Sequence, residues 1–206
     1  MARQVASQVG ANPSVVTGPS QAPGRRPGEV TTGPGPVTQR PTEAASRELK
    51  SDEYYVNEVS QGHIMEVELA QRASRKANDP KVKKFAEQML DDFTKWKDRW
   101  VSLAERAGVT NVHMGPQHKE KVDRLDKASH GQFDRVYLDI VTENLGSMVP
   151  YFQKEGREVH AAQVRNLVND ELPTLQQHLA RAEELGRQLH AKAGGEKKSQ
   201  SVSSKR

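Results

Sequence analysis

The chain of 206 residues contains no cysteine, is 34% hydrophobic and carries a formal net charge of +4, with an isoelectric point near 9.3 and a mean hydropathy of -0.83. Without cysteine, the chain has no disulfide, no thiolate zinc site and no thiol nucleophile. No apolar run is long enough to cross a bilayer, and the N-terminal residues lack the apolar segment of a signal peptide. We therefore expect neither a transmembrane segment nor a signal peptide, and the compartment is unknown.

Composition divides the chain into three parts. Residues 1–45 hold seven of the eleven prolines and six of the fifteen glycines, with no aromatic residue. Such a segment cannot bury enough apolar surface to order itself, so we expect a disordered tail. Residues 192–206 consist mainly of Gly, Ser and Lys, and we expect a second disordered tail, which is basic. A single folded domain over residues 46–191 remains.

The charge follows the same division. The two tails carry net charges of +2 and +4, which leaves the folded domain mildly acidic at about −2. Specific nucleic-acid binding is not expected, because it needs basic residues on a folded face. Weak electrostatic contact of the basic tail with anionic surfaces stays open, as does a homo-oligomer, and specific partners are unknown.

A first helix is predicted to begin between Thr42 and Ser51, either of which can act as N-cap. Residues spaced by four and three form its buried seam: Tyr55, Val59, Gly62, Glu66, Leu69 and Ala73. This seam places an acid, Glu66, inside the protein. An alternative buried face is shifted by one residue along the chain and contains Val56, Val67 and Ala70; this competing stripe would leave Glu66 outside the seam.

The second helix is predicted from Pro80 to about Ala107, with Asp79 as N-cap and Gly108 as C-terminal stop. Its seam is apolar throughout: Val82, Phe85, Met89, Phe93, Trp96, Trp100 and Leu103. Aromatic residues at helical spacing indicate a packed core.

A loop and a short amphipathic helix from Pro116 to about Ala128 follow. Three histidines, His113, His118 and His130, lie in or near this connection. No helical face presents His113 and His118 together, so we interpret all three as solvated side chains rather than metal ligands.

Two further long helices are predicted, from about Gln132 to Val159 and from about His160 to Ala191. The first has a seam of Phe133, Tyr137, Ile140, Asn144, Met148 and Tyr151. The second has a seam of Val164, Val168, Glu171, Leu175, His178, Ala182, Leu185 and Leu189. Pro150 and Pro173 each remove one helical hydrogen bond, which predicts bends.

Four long helices, with a short extra helix between the second and the third, predict an all-α, ferritin-like four-helix bundle. The long connection allows its two neighbouring helices to run parallel. Polar residues in the seams, among them Glu171 and His178, require partners on facing helices. We expect His178 to be mostly buried and paired with a carboxylate, with Glu66 the favoured partner, which would keep the imidazole charged.

Several blocks of the sequence resemble a bacterial ferritin-like family, domain of unknown function 4142. The matching blocks are Gly62-His63-Ile64-Met65-Glu66-Val67-Glu68-Leu69-Ala70, Asn78-Asp79-Pro80-Lys81-Val82 with Phe85-Ala86 and Met89-Leu90-Asp91-Asp92, Phe133-Asp134-Arg135-Val136-Tyr137, and Leu172-Pro173-Thr174-Leu175-Gln176-Gln177-His178-Leu179. The resemblance spans roughly residues 52–189. It implies a ferritin-like bundle, a location that is usually exported or envelope-associated, and no established reaction.

Two departures from that family bear on a metal site. The resemblance implies a histidine directly after Asp92, where this chain has Phe93, and another in the third helix, where it has Asn144. Both positions lie in seams. A ferritin-type di-iron centre also uses Glu-x-x-His pairs on two helices, and the predicted long helices contain none.

The remaining candidates for a polar core or a vestigial metal site are Glu66, Asp92, Glu143, Asn144, Glu171 and His178. We expect no cofactor and no catalytic residue, because the ring of Phe93 fills the volume of a metal and brings no ligand. The expected function is that of a non-enzymatic helical bundle that binds or scaffolds in a bacterial stress or envelope context. The alternative is a degenerate iron- or manganese-binding oxidoreductase that uses Glu66, Glu143 and His178.

Overall fold

The computed structural model describes residues 42–203, with side chains through Lys192, and every regular element in that part is helical. The helices are α1 (Glu43–Ser51), α2 (Glu53–Lys76), α3 (Pro80–Ala107), α4 (Pro116–Asp126), a short 3-10 helix (His130–Gln132), α5 (Phe133–Glu158) and α6 (Ala162–Ser203). The all-α prediction is confirmed for these residues.

Local capping chemistry sets several helix ends where the sequence places them. The Thr42 hydroxyl accepts the N–H of Ala45 at 3.3 Å, and the Asp79 carboxylate accepts the N–H of Lys81 at 2.8 Å. Gly108 ends α3 with φ = 101°, a left-handed conformation that glycine adopts without a steric penalty. The predicted bounds of α3 and the start of α1 are therefore confirmed.

A break at Asp52 corrects the prediction of one continuous first helix. Asp52 separates α1 from α2, and its carboxylate turns toward the start of α6. There it accepts the N–H groups of His160 and Ala161 at 2.9 and 2.8 Å; these two residues directly precede α6, so their N–H groups have no acceptor within the helix. A carboxylate is favourable at a helix N-terminus because it faces the positive end of the helix dipole.

Asp134 plays a similar part at the other end of the molecule. Its carboxylate, at the start of α5, accepts the N–H groups of Asn78 and Asp79 at 2.9 and 2.7 Å. The turn between α2 and α3 is thus fastened to α5 by a side chain that is itself buried.

Contacts between named side chains give the directions of the long helices. Tyr55 of α2 packs on Trp100 of α3, and His63 packs on Phe93, so these two helices are antiparallel. Phe85 lies against Tyr137 and Trp100 against Phe152, so α3 and α5 run parallel. Helix α6 runs antiparallel to α3, because Trp100 meets Glu171 while Lys81 meets Gln188.

The predicted seams form most of the core. All of the α2 seam is buried, and so are Val56 and Ala70 of the competing stripe, because α2 is covered by α3, α4 and α5 and buries a wide face. The α5 helix approaches α6 closely at Gly156, where an added Cβ would lie 2.7 Å from Val168 Cγ1. A larger residue at Gly156 would therefore require the side chains of Val168 and Tyr55 to shift.

The outer ends of the chain differ from expectation. Helix α6 continues to Ser203, so its predicted end at Ala191 is wrong. No proline follows Pro173, and Lys192 Nζ pairs with Asp79 Oδ2 at 2.6 Å, which holds α6 against the start of α3. The prediction that residues 1–45 are disordered concerns mainly residues 1–41, which lie outside the described part of the chain. None of the helices over residues 42–203 is both long and apolar enough to span a membrane.

Candidate functional site

Apart from Asp52, Ser60 and Asp134, the buried polar side chains form three separate groups rather than one site. The groups are His63 with Glu171 and Trp100, Asp92 with His178, and Glu66 with Asn144. Each group joins residues of different helices, so each is created by tertiary packing.

The first group is centred on Glu171, which is fully buried. The Trp100 indole N–H donates to both carboxyl oxygens, at 2.9 and 2.8 Å, and His63 Nε2 lies 3.2 Å from Oε2. His63 Nδ1 lies 2.8 Å from the carbonyl oxygen of Val59 and must donate there, because a carbonyl only accepts. The contact between His63 Nε2 and Glu171 Oε2 is a hydrogen bond when a proton lies between these two atoms.

Glu171 is one of the residues predicted from the sequence for the polar core, whereas its partners His63 and Trp100 are not. His63 lies in the first of the blocks that resemble the family, three residues before Glu66. It is adjacent to Gly62, which occupies the seam position of the predicted helix, so His63 itself was not counted as part of the seam. Trp100 was placed correctly in the core, although its N–H was not matched to an acceptor. A buried indole N–H needs a hydrogen-bond acceptor, and this requirement could have indicated from the sequence that Trp100 has a polar partner in the core.

The second group corrects the predicted partner of His178. This side chain is 10% exposed, so the predicted burial is confirmed, but its Nε2 lies 3.0 Å from Asp92 Oδ2 and not against Glu66. The Asp92 side chain is 33% exposed. Burial lowers the pKa of His178, and this effect outweighs the opposing influence of Asp92. The expectation that a paired acid keeps the imidazole charged is therefore wrong, because the acid is partly solvated.

The third group lies between α2 and α5. The Asn144 amide nitrogen donates to Glu66 Oε1 at 2.6 Å, and Glu66 is completely buried. Burial raises the pKa of Glu66 to about 8, so its carboxyl group is mostly protonated at neutral pH. Among the described residues, neither Glu66 Oε2 nor the nearby Tyr137 hydroxyl has a hydrogen-bond partner.

Glu143 does not belong to the polar core, contrary to the sequence prediction. Its side chain is 57% exposed and lies 3.4 Å from Lys121 and 3.6 Å from Arg124, both on α4. Consecutive residues of a helix point in directions about 100° apart. Because Asn144 points into the core, the preceding residue Glu143 points toward solvent.

The candidate residues do not fit a ferritin-type metal centre. A ligand set must converge on one point, whereas Glu66, Asp92 and Glu171 each bind a different partner. Among the described side chains, no three His, Asp or Glu residues are arranged to hold a metal ion. The fully buried ring of Phe93 stands between two of the groups, 5.1 Å from the His63 ring and 6.3 Å from the His178 ring.

A cleft of about 260 Å³ opens between α2, α4 and α5, next to the Glu66 group. Its lining residues are Tyr54, Glu58, Val59, Gly62, His118, Asn144, Ser147, Met148 and Tyr151. Gly62 and Met148 form a close contact in its wall, since a Cβ at Gly62 would lie 3.2 Å from the methionine methyl carbon.

His118 of this cleft was interpreted as solvated, and the structure corrects that interpretation. Its ring is half-buried, and burial lowers its pKa although Glu58 favours the charged form. The Nδ1 atom is buried and has no partner among the described residues. His113 and His130 are exposed, as expected.

Together, these observations define an all-α protein with three polar groups between its helices and a cleft between α2, α4 and α5. The sequence profile described as Domain of unknown function (DUF4142) matches residues 37–185. The chain belongs to this family. In the same comparisons, no curated protein and no solved structure matches the chain.

Proposed function

We propose that this protein is a bacterial, ferritin-like four-helix bundle with a non-enzymatic binding role, in a stress or envelope context, and with no resident metal. The observation that carries the proposal is the division of the buried polar residues into separate groups with internal partners. Polar residues that are paired with one another inside the core hold the helices together and are not free to bind a ligand. A ligand would therefore bind in the cleft between α2, α4 and α5.

The helix directions support the ferritin-like part of the proposal. Helices α2 and α3 form one antiparallel pair, α5 runs parallel to α3, and α6 runs antiparallel to α3. A long connection that contains α4 joins α3 to α5. Bundles with one long crossover between parallel neighbours have this arrangement.

The alternative, a degenerate iron or manganese oxidoreductase, required Glu66, Glu143 and His178 to act together. Glu143 faces solvent and His178 binds Asp92, so this set is dispersed. Nothing in the arrangement favours that function over a binding role.

Anaerobic titration of the purified protein with Fe(II) and with Mn(II), followed by metal analysis, tests the proposal. We expect well under one bound ion per chain and, when the Fe(II) sample is afterwards exposed to air, no faster oxidation of Fe(II) than in buffer. Phe93→His is the matched comparison, because it offers a third imidazole between His63 and His178 and should increase the affinity for a divalent first-row metal. Stoichiometric iron or manganese in the unmodified protein would overturn the proposal.

A further inference from the structure

The cleft combines features that select for the charge of a ligand. Among its nine lining residues, all in the described part of the chain, Glu58 is the one carboxylate and there is no lysine or arginine. His118 adds no fixed positive charge at neutral pH, because burial lowers its pKa. Lys121 lies just outside the lining, where its ammonium group is shared between Glu143, at 3.4 Å, and the amide oxygen of Asn144, at 3.5 Å.

Apart from the hydroxyls of Tyr54 and Tyr151 and the ring of His118, the polar groups of the cleft offer mainly acceptors to a ligand. The Glu58 carboxylate accepts only. The Ser147 hydroxyl already donates to the carbonyl of Glu143 at 3.1 Å, which leaves its oxygen lone pairs for a ligand. The Asn144 amide nitrogen is directed to Glu66.

Aromatic rings border the same space. Tyr54 is 74% exposed, the one large hydrophobic residue that is this exposed in the described chain. Tyr151 is held in place by stacking on Tyr55, with ring centroids 5.1 Å apart. Cations are attracted to the faces of such rings, and the attraction strengthens where water is excluded.

We propose that this cleft binds a small organic amine in its protonated form, with the ammonium group against Glu58 and an apolar body between Tyr54, Tyr151 and Met148. This assignment deepens the proposed function and rests on its binding role. The volume of about 260 Å³ suits a small molecule, since pockets for drug-sized ligands begin at about 300 Å³. An ammonium group with N–H bonds satisfies the acceptors, and its charge complements the single carboxylate.

Three probes of nearly equal shape and different charge provide the test: 2-phenylethylamine, 2-phenylethanol and phenylacetate. Binding to the full chain is measured by calorimetry at neutral pH and low salt. We expect the amine to bind at least about tenfold more tightly than the alcohol, a difference of about 1.4 kcal/mol, and the acid to bind more weakly still. Equal affinity for the amine and the alcohol, or a preference for phenylacetate, would overturn the proposal.

Two variants test whether the amine binds in the cleft. Glu58→Gln should weaken amine binding about tenfold and leave the affinity for the alcohol unchanged, and Tyr54→Ala should weaken both. Glu87→Gln, the same substitution at an exposed position of α3, is the matched control and should change nothing. Unfolding midpoints verify that each variant is folded. Unchanged amine binding in folded Glu58→Gln would refute the assignment.

The metal titration tests the proposed function, and the amine-binding experiment tests the ligand assignment, so the two can be contradicted independently. Stoichiometric iron would overturn the non-enzymatic role whatever the amine does. A cleft without charge preference would leave that role intact and remove only the ligand assignment.

Discussion

Glu171 Oε2 and His63 Nε2 lie 3.2 Å apart in a part of the core where both side chains are fully buried. The same carboxyl group receives the Trp100 N–H, so one acid of α6 satisfies polar groups of both α2 and α3. The Glu171 side chain thereby ties the two antiparallel helix pairs together.

Removing Glu171 should destabilise the protein strongly. Glu171→Ala leaves the Trp100 N–H and His63 Nε2, both buried, without a partner, and we expect a loss of about 3–5 kcal/mol in the free energy of unfolding. Trp100→Phe, which removes one donor, should cost about 1–3 kcal/mol. Denaturant unfolding measures both changes.

The neighbouring Asp170 is the matched control for Glu171. Its carboxylate is exposed and forms a surface ion pair with Arg99 at 3.3 Å. Asp170→Ala should therefore change the unfolding free energy by at most about 1 kcal/mol. Similar losses for Asp170→Ala and Glu171→Ala would contradict the role given to Glu171.

Glu66 should make the protein less stable as the pH rises. The folded protein keeps the Glu66 proton up to a pKa of about 8, whereas the unfolded chain releases it near the usual value of 4.5. Between these values the folded state binds more protons, so the free energy of unfolding falls with increasing pH and levels off above about 8. The total effect is on the order of several kcal/mol.

Glu66→Gln isolates this contribution. The amide cannot titrate, and its oxygen can still accept the Asn144 N–H, so the variant should gain stability relative to the natural protein between pH 5 and pH 9. Urea unfolding of both proteins across that range measures the difference. Parallel curves for the two proteins would show that Glu66 does not carry the proton assigned to it.

His178 should titrate below its usual pKa of 6.5, because burial disfavours the charged imidazole. Asp92→Asn should lower this pKa further, since it removes the carboxylate that favours the charged form. NMR spectra of the imidazole during a pH titration provide the measurement. Asp91→Asn, at the adjacent acid that pairs with Lys95, should leave it unchanged. A His178 midpoint above 6.5 would contradict the dominance of burial.

Deletion of residues 1–41 should leave the melting midpoint nearly unchanged, because their composition offers little apolar surface to bury. Deletion of residues 1–51 should lower it clearly. The longer deletion removes Leu49, which is only 2% exposed, and a truncated core leucine typically costs about 2–5 kcal/mol. Thermal unfolding compares the two proteins. A large drop for the shorter deletion would mean that residues 1–41 pack on the helices.

The sequence by itself determined the helices and their buried faces. The 3.6-residue period placed Glu66, Asn144, Glu171 and His178 inside, and all four are buried. Capping at Asp79 and the stop at Gly108 followed from local backbone chemistry. These features depend on residues within a few positions of one another, so the linear order of the chain contains them.

Only the tertiary structure decided which polar residues meet. A period tells which face of a helix is buried, but not how far a neighbouring helix is shifted along its axis or which of several neighbours that face covers. A shift of one turn is about 5.4 Å and exchanges one partner for another. His178 therefore binds Asp92 instead of Glu66, Glu66 binds Asn144 of α5, and His63 joins Glu171. The cleft at Glu58 and His118 likewise exists only because α4 folds back over α2 and α5.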